Sequence, residues 1–220
     1  MSSILSPKQP NTILYFPFSE GSGSTAYDYS DSVNNGTIVA GSYVKAPNGS
    51  YSFKSISGNN DSGIVMSAIG TLTNFTILYS GKITVTADTQ FIFYGIGSGD
   101  TYMAVKIFST GLIDVEMIEA TGVGRRVRST KSVNSGEYNH IVIVYSGGEP
   151  EIYLNGSRLS VTVYVDSGTG YYYLTNNSIL GYPDTAPKYG INGDSNYFIL
   201  LNKAVTAEFI EKHHQETYIQ

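Results

Sequence analysis

Four runs between residues 74 and 118 limit what this chain can fold into: NFTILYSGKITV (74–85), QFIFYGIG (90–97), TYMAVKIFS (101–109) and LIDVEMI (112–118). Each is short, rich in β-branched and aromatic residues, and bounded by Gly, Ser, Asn or Asp. Side chains two apart on a strand share a face, so runs of this kind mark strands with one face buried. In LIDVEMI, Ile113, Val115 and Met117 fall on one face and Asp114 and Glu116 on the other. The pattern returns in TILYFPF (12–18), YSFKSI (51–56), RRVRST (125–130), YNHIVIVYSGGEPEIYLNGSRLS (138–160), YYYLTNNSILGY (171–182) and DSNYFILLNKAV (194–205). RRVRST is expected to pair with LIDVEMI. Asn35-Gly36, Asn48-Gly49 and Asn155-Gly156 read as turns, and residues 27–50 as a long irregular stretch.

Only TAEFIEKHHQETY (206–218) reads as a helix. Thr206 is placed to cap it, and Glu208 and Glu211 suit its positive N-terminal end. The sum is about ten to twelve strands and one terminal helix, an all-β fold packed as a single sandwich over residues 12–220. Residues 1–11 read as a short arm, because Pro7 and Pro10 interrupt regular structure.

Composition removes several function classes. A chain of 220 residues buries ~70% of its unfolded surface and needs no metal or disulfide staple. The net charge of −5 offers nothing to a phosphate backbone, so no nucleic acid is expected as partner. The absence of Cys excludes a CxxC metal site. No stretch approaches the ~20 apolar residues of a membrane span, so no membrane insertion is expected.

The order of motifs resembles laminin-G-like domains of the concanavalin A-like lectin and glucanase jelly rolls. LYFPFSEGSGSTAYDYSDSVNNGTIVAG (14–41) resembles the family's opening strand, EGSG turn, Asp and N-N-G-T. SYSF (50–53) resembles its next landmark, and YNHIVIVYSGGEPEIYLNGSRLS its long hairpin, with Tyr138 where Trp usually stands and His140 at the second His position. SILGY (178–182) is similar to a later strand. NGDSNYFILLNKAVTAEFI (192–210) resembles the closing strand and helix. The resemblance implies a concanavalin A-like jelly-roll β-sandwich of two antiparallel sheets with one C-terminal helix, its first and last strands neighbours. It also implies calcium as the one cofactor to expect: the family's Asp in the closing strand falls here at Asn196, and Asp28, Asp31 and Asn35 supply the other oxygens, which suit a hard cation. The alternative for the loop residues is that they hydrogen-bond their own backbone as Asx turns.

LIDVEMIEA (112–120) has the spacing of the E-x-D-x-x-E catalytic strand of laminarinase-type glucanases, with the first two residue types exchanged. A retaining glycosidase needs its carboxyls ~5–5.5 Å apart. Residues i and i+2 of a strand lie ~6.7 Å apart on one face, whereas Glu119 joins them only through a bulge. The shorter Asp114 at the nucleophile position and the lack of any Trp argue against catalysis, so no catalytic residue is assigned. His140 is expected to be a packed or capping residue. His213 and His214 point ~100° apart on a helix, and no Ser/His/Asp triad emerges.

Two further groups suggest binding. Arg126 and Arg128 share a strand face and could clamp a carboxylate, sulfate or phosphate of an acidic glycan; alternatively they balance Asp114 and Glu116 across strands. Tyr171 and Tyr173 share a face and could offer flat rings to a sugar, or fill the core edge in a chain with 19 Tyr. The expectation is a non-enzymatic, surface-exposed carbohydrate-binding module. The opening MSSILSPKQPNTILYF lacks the pattern of a secretion signal, which for a fold used outside cells favours a virion-surface or otherwise extracellular protein that recognises host glycans. The alternatives are a purely structural virion protein and a glucanase-type hydrolase. The expected partner is a carbohydrate or another surface protein, and self-association is compatible with the sequence.

Overall fold

The computed structural model describes residues 11–46, 48–55, 63–99, 101–119, 123–166, 172–181 and 190–218. Eighteen strands, numbered in chain order, and one helix lie among the described residues. The strands form two antiparallel sheets. The eight-stranded sheet runs β15 (Ser157–Arg158), β14 (Glu151–Leu154), β13 (Glu137–Tyr145), β8 (Phe75–Ile83), β18 (Gly193–Leu201), β5 (Tyr51–Lys54) and β4 (Ser42–Lys45), with β1 (Thr12–Phe16) also on β18. The ten-stranded sheet runs β16 (Val161–Asp166), β12 (Gly124–Ser132), β11 (Leu112–Ile118), β10 (Tyr102–Ile107), β9 (Gln90–Gly97), β17 (Tyr172–Ile179), β6 (Gly63–Met66), β3 (Gly36–Ala40) and β2 (Thr25–Ala26), with β7 (Gly70–Leu72) also on β17. The first and last strands are neighbours, as the motif order implied.

Alternation places the inner faces. Phe16, Phe75, Ile77, Ile143 and Phe198 come from one sheet, and Phe93, Met103, Val115, Met117 and Tyr172 from the other; all are buried in one apolar layer. Phe93 stacks on Phe198 across that layer at 5.9 Å, and Tyr145 meets Tyr172 edge-on at 6.3 Å. Each fully buried ring of this size contributes about 3 kcal/mol. The Tyr172 hydroxyl donates to the Met117 carbonyl at 3.3 Å, so its one polar atom is satisfied. Burial, more than any neighbour, raises the pKa of that phenol.

The stretch 27–50 is less irregular than its sequence reads, because β3 and β4 lie in it. Asn35-Gly36 is not a turn: Gly36 opens β3. A Cβ on Gly36 would sit 2.2 Å from Ile64, so glycine there serves a close strand approach. Asn48-Gly49 does turn the chain, with the Gly49 amide donating to Ala46 O at 2.9 Å. At Asn155-Gly156 both φ angles are positive, 51° and 80°, as a two-residue hairpin turn requires. The strands β2, β3, β4, β6, β7, β15 and β16, none longer than six residues, raise the number above the ten to twelve expected.

The helix, α1 (Ala207–Tyr218), begins where expected, with the Thr206 hydroxyl accepting the Phe209 amide at 3.2 Å. It covers the outer face of the eight-stranded sheet, where Ile210 packs with Leu78, Val142, Tyr153, Ile199 and Leu201. Beside this layer three imidazoles stack. His140 on β13 is fully buried, and its Nε2 lies 3.1 Å from Nδ1 of His213. The His214 ring stacks on His140 at 5.3 Å. Burial, then the neighbouring imidazoles, lowers His140 to about 3. Burial, then His214, lowers His213 to about 4. Both groups are therefore held neutral.

The unfolded chain takes up protons below about pH 6.5 that the folded chain refuses until about pH 4 and pH 3. The stability these residues permit is complete above 6.5 and declines through that window. Denaturant unfolding is expected to show a loss of roughly 2 kcal/mol per buried imidazole between pH 7.5 and pH 5. In His213→Phe that pH-dependent drop should shrink by about half.

Candidate functional site

The two outer faces of the sandwich carry different chemistry. On the outer face of the ten-stranded sheet, β10, β11 and β12 bring five charged side chains together. The ladder sets Lys106 and Arg128 opposite Asp114 on either side, and Arg126 opposite Glu116. Lys106 Nζ lies 2.6 Å from Glu116 and 3.5 Å from Asp114. Arg126 Nε lies 3.0 Å from Glu116 Oε1 and 3.4 Å from Asp114 Oδ2. Arg128 Nε donates to Asp114 Oδ1 at 2.8 Å. Asp114 is fully buried beneath these cations. Burial pushes the Glu116 carboxyl up, but the hydrogen bond and charge of Lys106, with Arg126 and Tyr102, outweigh it and hold the group below its ordinary value. Tyr102, which donates to Glu116 at 3.1 Å, is pushed up to about 12 by burial and by that carboxylate.

Arg126 and Arg128 thus share a face, as the strand period requires, and they balance Asp114 and Glu116 across strands. Arg125 points the other way, its Nε donating to the core hydroxyl of Tyr145 at 3.3 Å. The pairing of β11 with β10 runs through residues 113–118 with no bulge. Glu119 therefore falls on the opposite phase from Asp114 and Glu116, and the three acids do not converge.

The second feature lies over the eight-stranded sheet, where α1 ends. A groove of about 680 Å³ is walled by Tyr15, Tyr51, Tyr138 and Tyr197, with Ser19, Asn48, Ser50, Ser52, Ser80, Asn196 and Thr217 supplying hydroxyls and amides. Among the described residues no charged side chain lines it, although Lys45 Nζ lies over the Tyr51 ring at 5.9 Å. Asn196 is the extra residue of a β-bulge in β18, between Ser195 and Tyr197. Tyr51 is backed by Gly21 of the EGSG turn, whose φ of 76° and lack of Cβ admit the ring; a Cβ there would sit 2.8 Å from it. Tyr197 stands edge-on to His213 at 5.8 Å, and Thr217 donates to the His213 carbonyl. The imidazole stack therefore supports one wall of the groove.

Of the residues expected to bind ligand, Tyr171 lies outside the described residues, and of Tyr173 only the backbone, paired with Thr71, is described. The groove tyrosines were not singled out in the sequence. Tyr138 carried a signal, standing where the related hairpin has Trp; it is 43% exposed at the groove rim.

The loop expected to hold calcium is organised differently. Asp28 Oδ1 accepts the amides of Tyr15 and Ser30 at 2.8 and 2.9 Å. Oδ2 accepts the Asn34 amide at 2.9 Å and faces the Ser30 hydroxyl at 2.8 Å. Three backbone amides thus donate to this carboxylate, and the Ser30 hydroxyl beside it divides its one proton between Asp28 and the Ile13 carbonyl at 2.9 Å. Asn35 spends its Oδ1 on the Asp28 amide at 3.0 Å. Asp31 is exposed, and Asn196 belongs to the groove. These residues do not fit a calcium site. Among the described residues no group of three or more His, Cys, Asp or Glu is placed to hold a metal ion. The Asx reading of the loop describes it, and Asp28 ties the opening loop to β1. Asp28→Ala should cost about 3 kcal/mol by leaving buried amides without an acceptor. The melting temperature of the unaltered chain should be the same with calcium and with a chelator.

A family model described as the concanavalin A-like lectin/glucanases superfamily matches residues 57–211. No curated protein sequence matches the chain. Among solved structures, the binding domain of Paraclostridial Mosquitocidal Protein 1 is similar over 94% of this chain and 52% of its own, at 12% identity and a TM-score of 0.69. The Botulinum neurotoxin serotype G binding domain is similar over 94% of this chain and 51% of its own, at 15% identity and a TM-score of 0.62. Trypanosoma rangeli sialidase, solved with the inhibitor DANA, is similar over 91% of this chain and 32% of its own, at 14% identity and a TM-score of 0.65. The chain thus spans about half of the toxin binding domains and a third of the sialidase. At these identities the likeness is one of fold. With the two antiparallel sheets, the neighbouring first and last strands and the family match over most of its length, the chain belongs to the concanavalin A-like lectin/glucanase superfamily.

Proposed function

We propose that the chain is a non-enzymatic carbohydrate-binding module, and that its sugar site is the tyrosine-walled groove at the end of α1. The observation that carries this reading is the make-up of the groove: four Tyr side chains, a set of hydroxyls and amides, and, among the described residues, no charged side chain in the lining. A pyranose presents apolar C–H faces and a rim of hydroxyls. Aromatic rings suit the first and Ser, Asn and Thr the second. No carboxylate among the described residues lines the groove, and Asp114 and Glu116 are locked in ion pairs; both support the reading of binding without hydrolysis. The fold it shares with toxin binding domains is compatible with this role. In the virion-surface setting expected from the sequence, the groove would meet host glycans.

Neutral oligosaccharides titrated into the protein should change its tyrosine fluorescence. Tyr138→Ala and Asn196→Ala should each weaken binding about tenfold, equivalent to ~1.4 kcal/mol, with the melting temperature little changed at these half-exposed positions. Chelation should leave affinity unchanged. If no neutral sugar in a broad panel binds, or if both variants bind as the parent does, the groove is not the site.

A further inference from the structure

The charged cluster on the opposite face holds more than its internal pairing requires. Three cations, Lys106, Arg126 and Arg128, meet two carboxylates, Asp114 and Glu116, which leaves one positive charge over. Both arginines reach the carboxylates through Nε. A guanidinium carries five N–H donors in a fixed fork, so the Nη edges of both forks remain for an outside acceptor. The side chains keep 31% and 22% of their surface exposed.

These forks are also held still. Arg128 lies over the Phe108 ring at 4.0 Å and beside Tyr164 at 5.0 Å, and Arg126 lies over the same Tyr164 ring at 5.3 Å. Tyr164 takes this place because β16 bulges against β12: Val165 opposes Arg126 and Val163 opposes Val127, and residue 164 is the extra one. A hydrogen bond to Asp114 and two flanking rings fix the Arg128 guanidinium, and ion pairs to Glu116 and Asp114 with the Tyr164 ring beside them hold that of Arg126, before any ligand arrives, which lowers the entropic cost of binding. Tyr164 is itself 52% exposed and offers a flat ring next to the forks.

We infer that Arg126, Arg128 and Tyr164 form a second site, separate from the groove, for the anionic group of an acidic sugar. The forks would take a carboxylate or a sulfate ester, both of which accept paired N–H donors, and the Tyr164 ring would pack against the carbon skeleton. The inference does not rest on the groove, which lies on the other sheet. The balancing of carboxylates and the clamping of an anion, set against each other in the sequence, use different edges of the same guanidinium groups.

The test is calorimetric and NMR titration of the whole chain with lactose, 3′-sialyllactose and 3′-sulfolactose at low salt. Both acidic sugars should bind at least tenfold more tightly than lactose, and raising the salt should weaken them. Preference for one acidic sugar over the other identifies carboxylate or sulfate as the preferred group within the site. Arg126→Gln should lower acidic-sugar affinity at least tenfold. Because that change also disturbs the ion pairs, Tyr164→Ala serves as a second variant that leaves them in place, and it should weaken the same sugars severalfold. Equal binding of lactose and the acidic sugars would overturn the site. So would undiminished binding in a folded Arg126→Gln protein, or displacement of the acidic sugar by a neutral oligosaccharide that fills the groove.

Discussion

The apolar layer between the two sheets takes one face of every long strand, and the strand period of two then hands the alternate residues to the outer faces. The stack of Phe93 on Phe198 and the meeting of Tyr145 with Tyr172 fix the two sheets against each other. With those contacts set, Asp114 and Glu116 have nowhere to go but outward, and Tyr138 and His140 must stand on the outer side of β13. Everything that could bind a ligand here is a consequence of what the core does not use.

Each outer face is then completed in its own way. Over the eight-stranded sheet, α1 adds a second apolar layer around Ile210 and buries His140 and His213 with it, with His214 half-buried against His140. Beside the last turn of the helix, Tyr138 is left exposed at the groove rim, Tyr15 and Tyr51 are half-buried, and Tyr197 is buried in the wall. Among the described residues no helix covers β10, β11 and β12 of the ten-stranded sheet; there the long side chains of Lys106, Arg126 and Arg128 fold over the carboxylates, with aromatic rings beside them. The same fold thus presents a neutral, hydroxyl-rich concavity on one side and a charged, aromatic-flanked surface on the other.

Much of this was legible from residue spacing. The strands carrying strict alternation, the cap at Thr206, the pairing of RRVRST with LIDVEMI and the shared face of Arg126 and Arg128 all follow from local periodicity. What spacing does not encode is which distant segments meet. Tyr15, Tyr51, Tyr138 and Tyr197 come from four strands, and only the sheet order β13, β8, β18, β5, with β1 beside it, gathers them. Gly36 read as a turn because the reason for it, the Ile64 side chain, lies on another strand. Asp28 read either as a metal ligand or as an Asx-turn residue because a carboxylate in a loop gives the same sequence signal whether it meets a cation or three backbone amides.

Stability alone is a poor reason for the charged cluster. Taking a carboxylate as deep as Asp114 out of water costs several kcal/mol, and apolar residues of similar volume often serve a fold as well or better. A need to keep the outer face wet is also insufficient, because scattered exposed charges meet it without burying an acid beneath two arginines. The cluster instead does what isolated surface charges do not: it holds two guanidinium planes in one orientation, beside an exposed ring, with positive charge in excess. A buried anion that costs stability but positions cations facing outward is the arrangement expected where the cations have a partner from outside the chain.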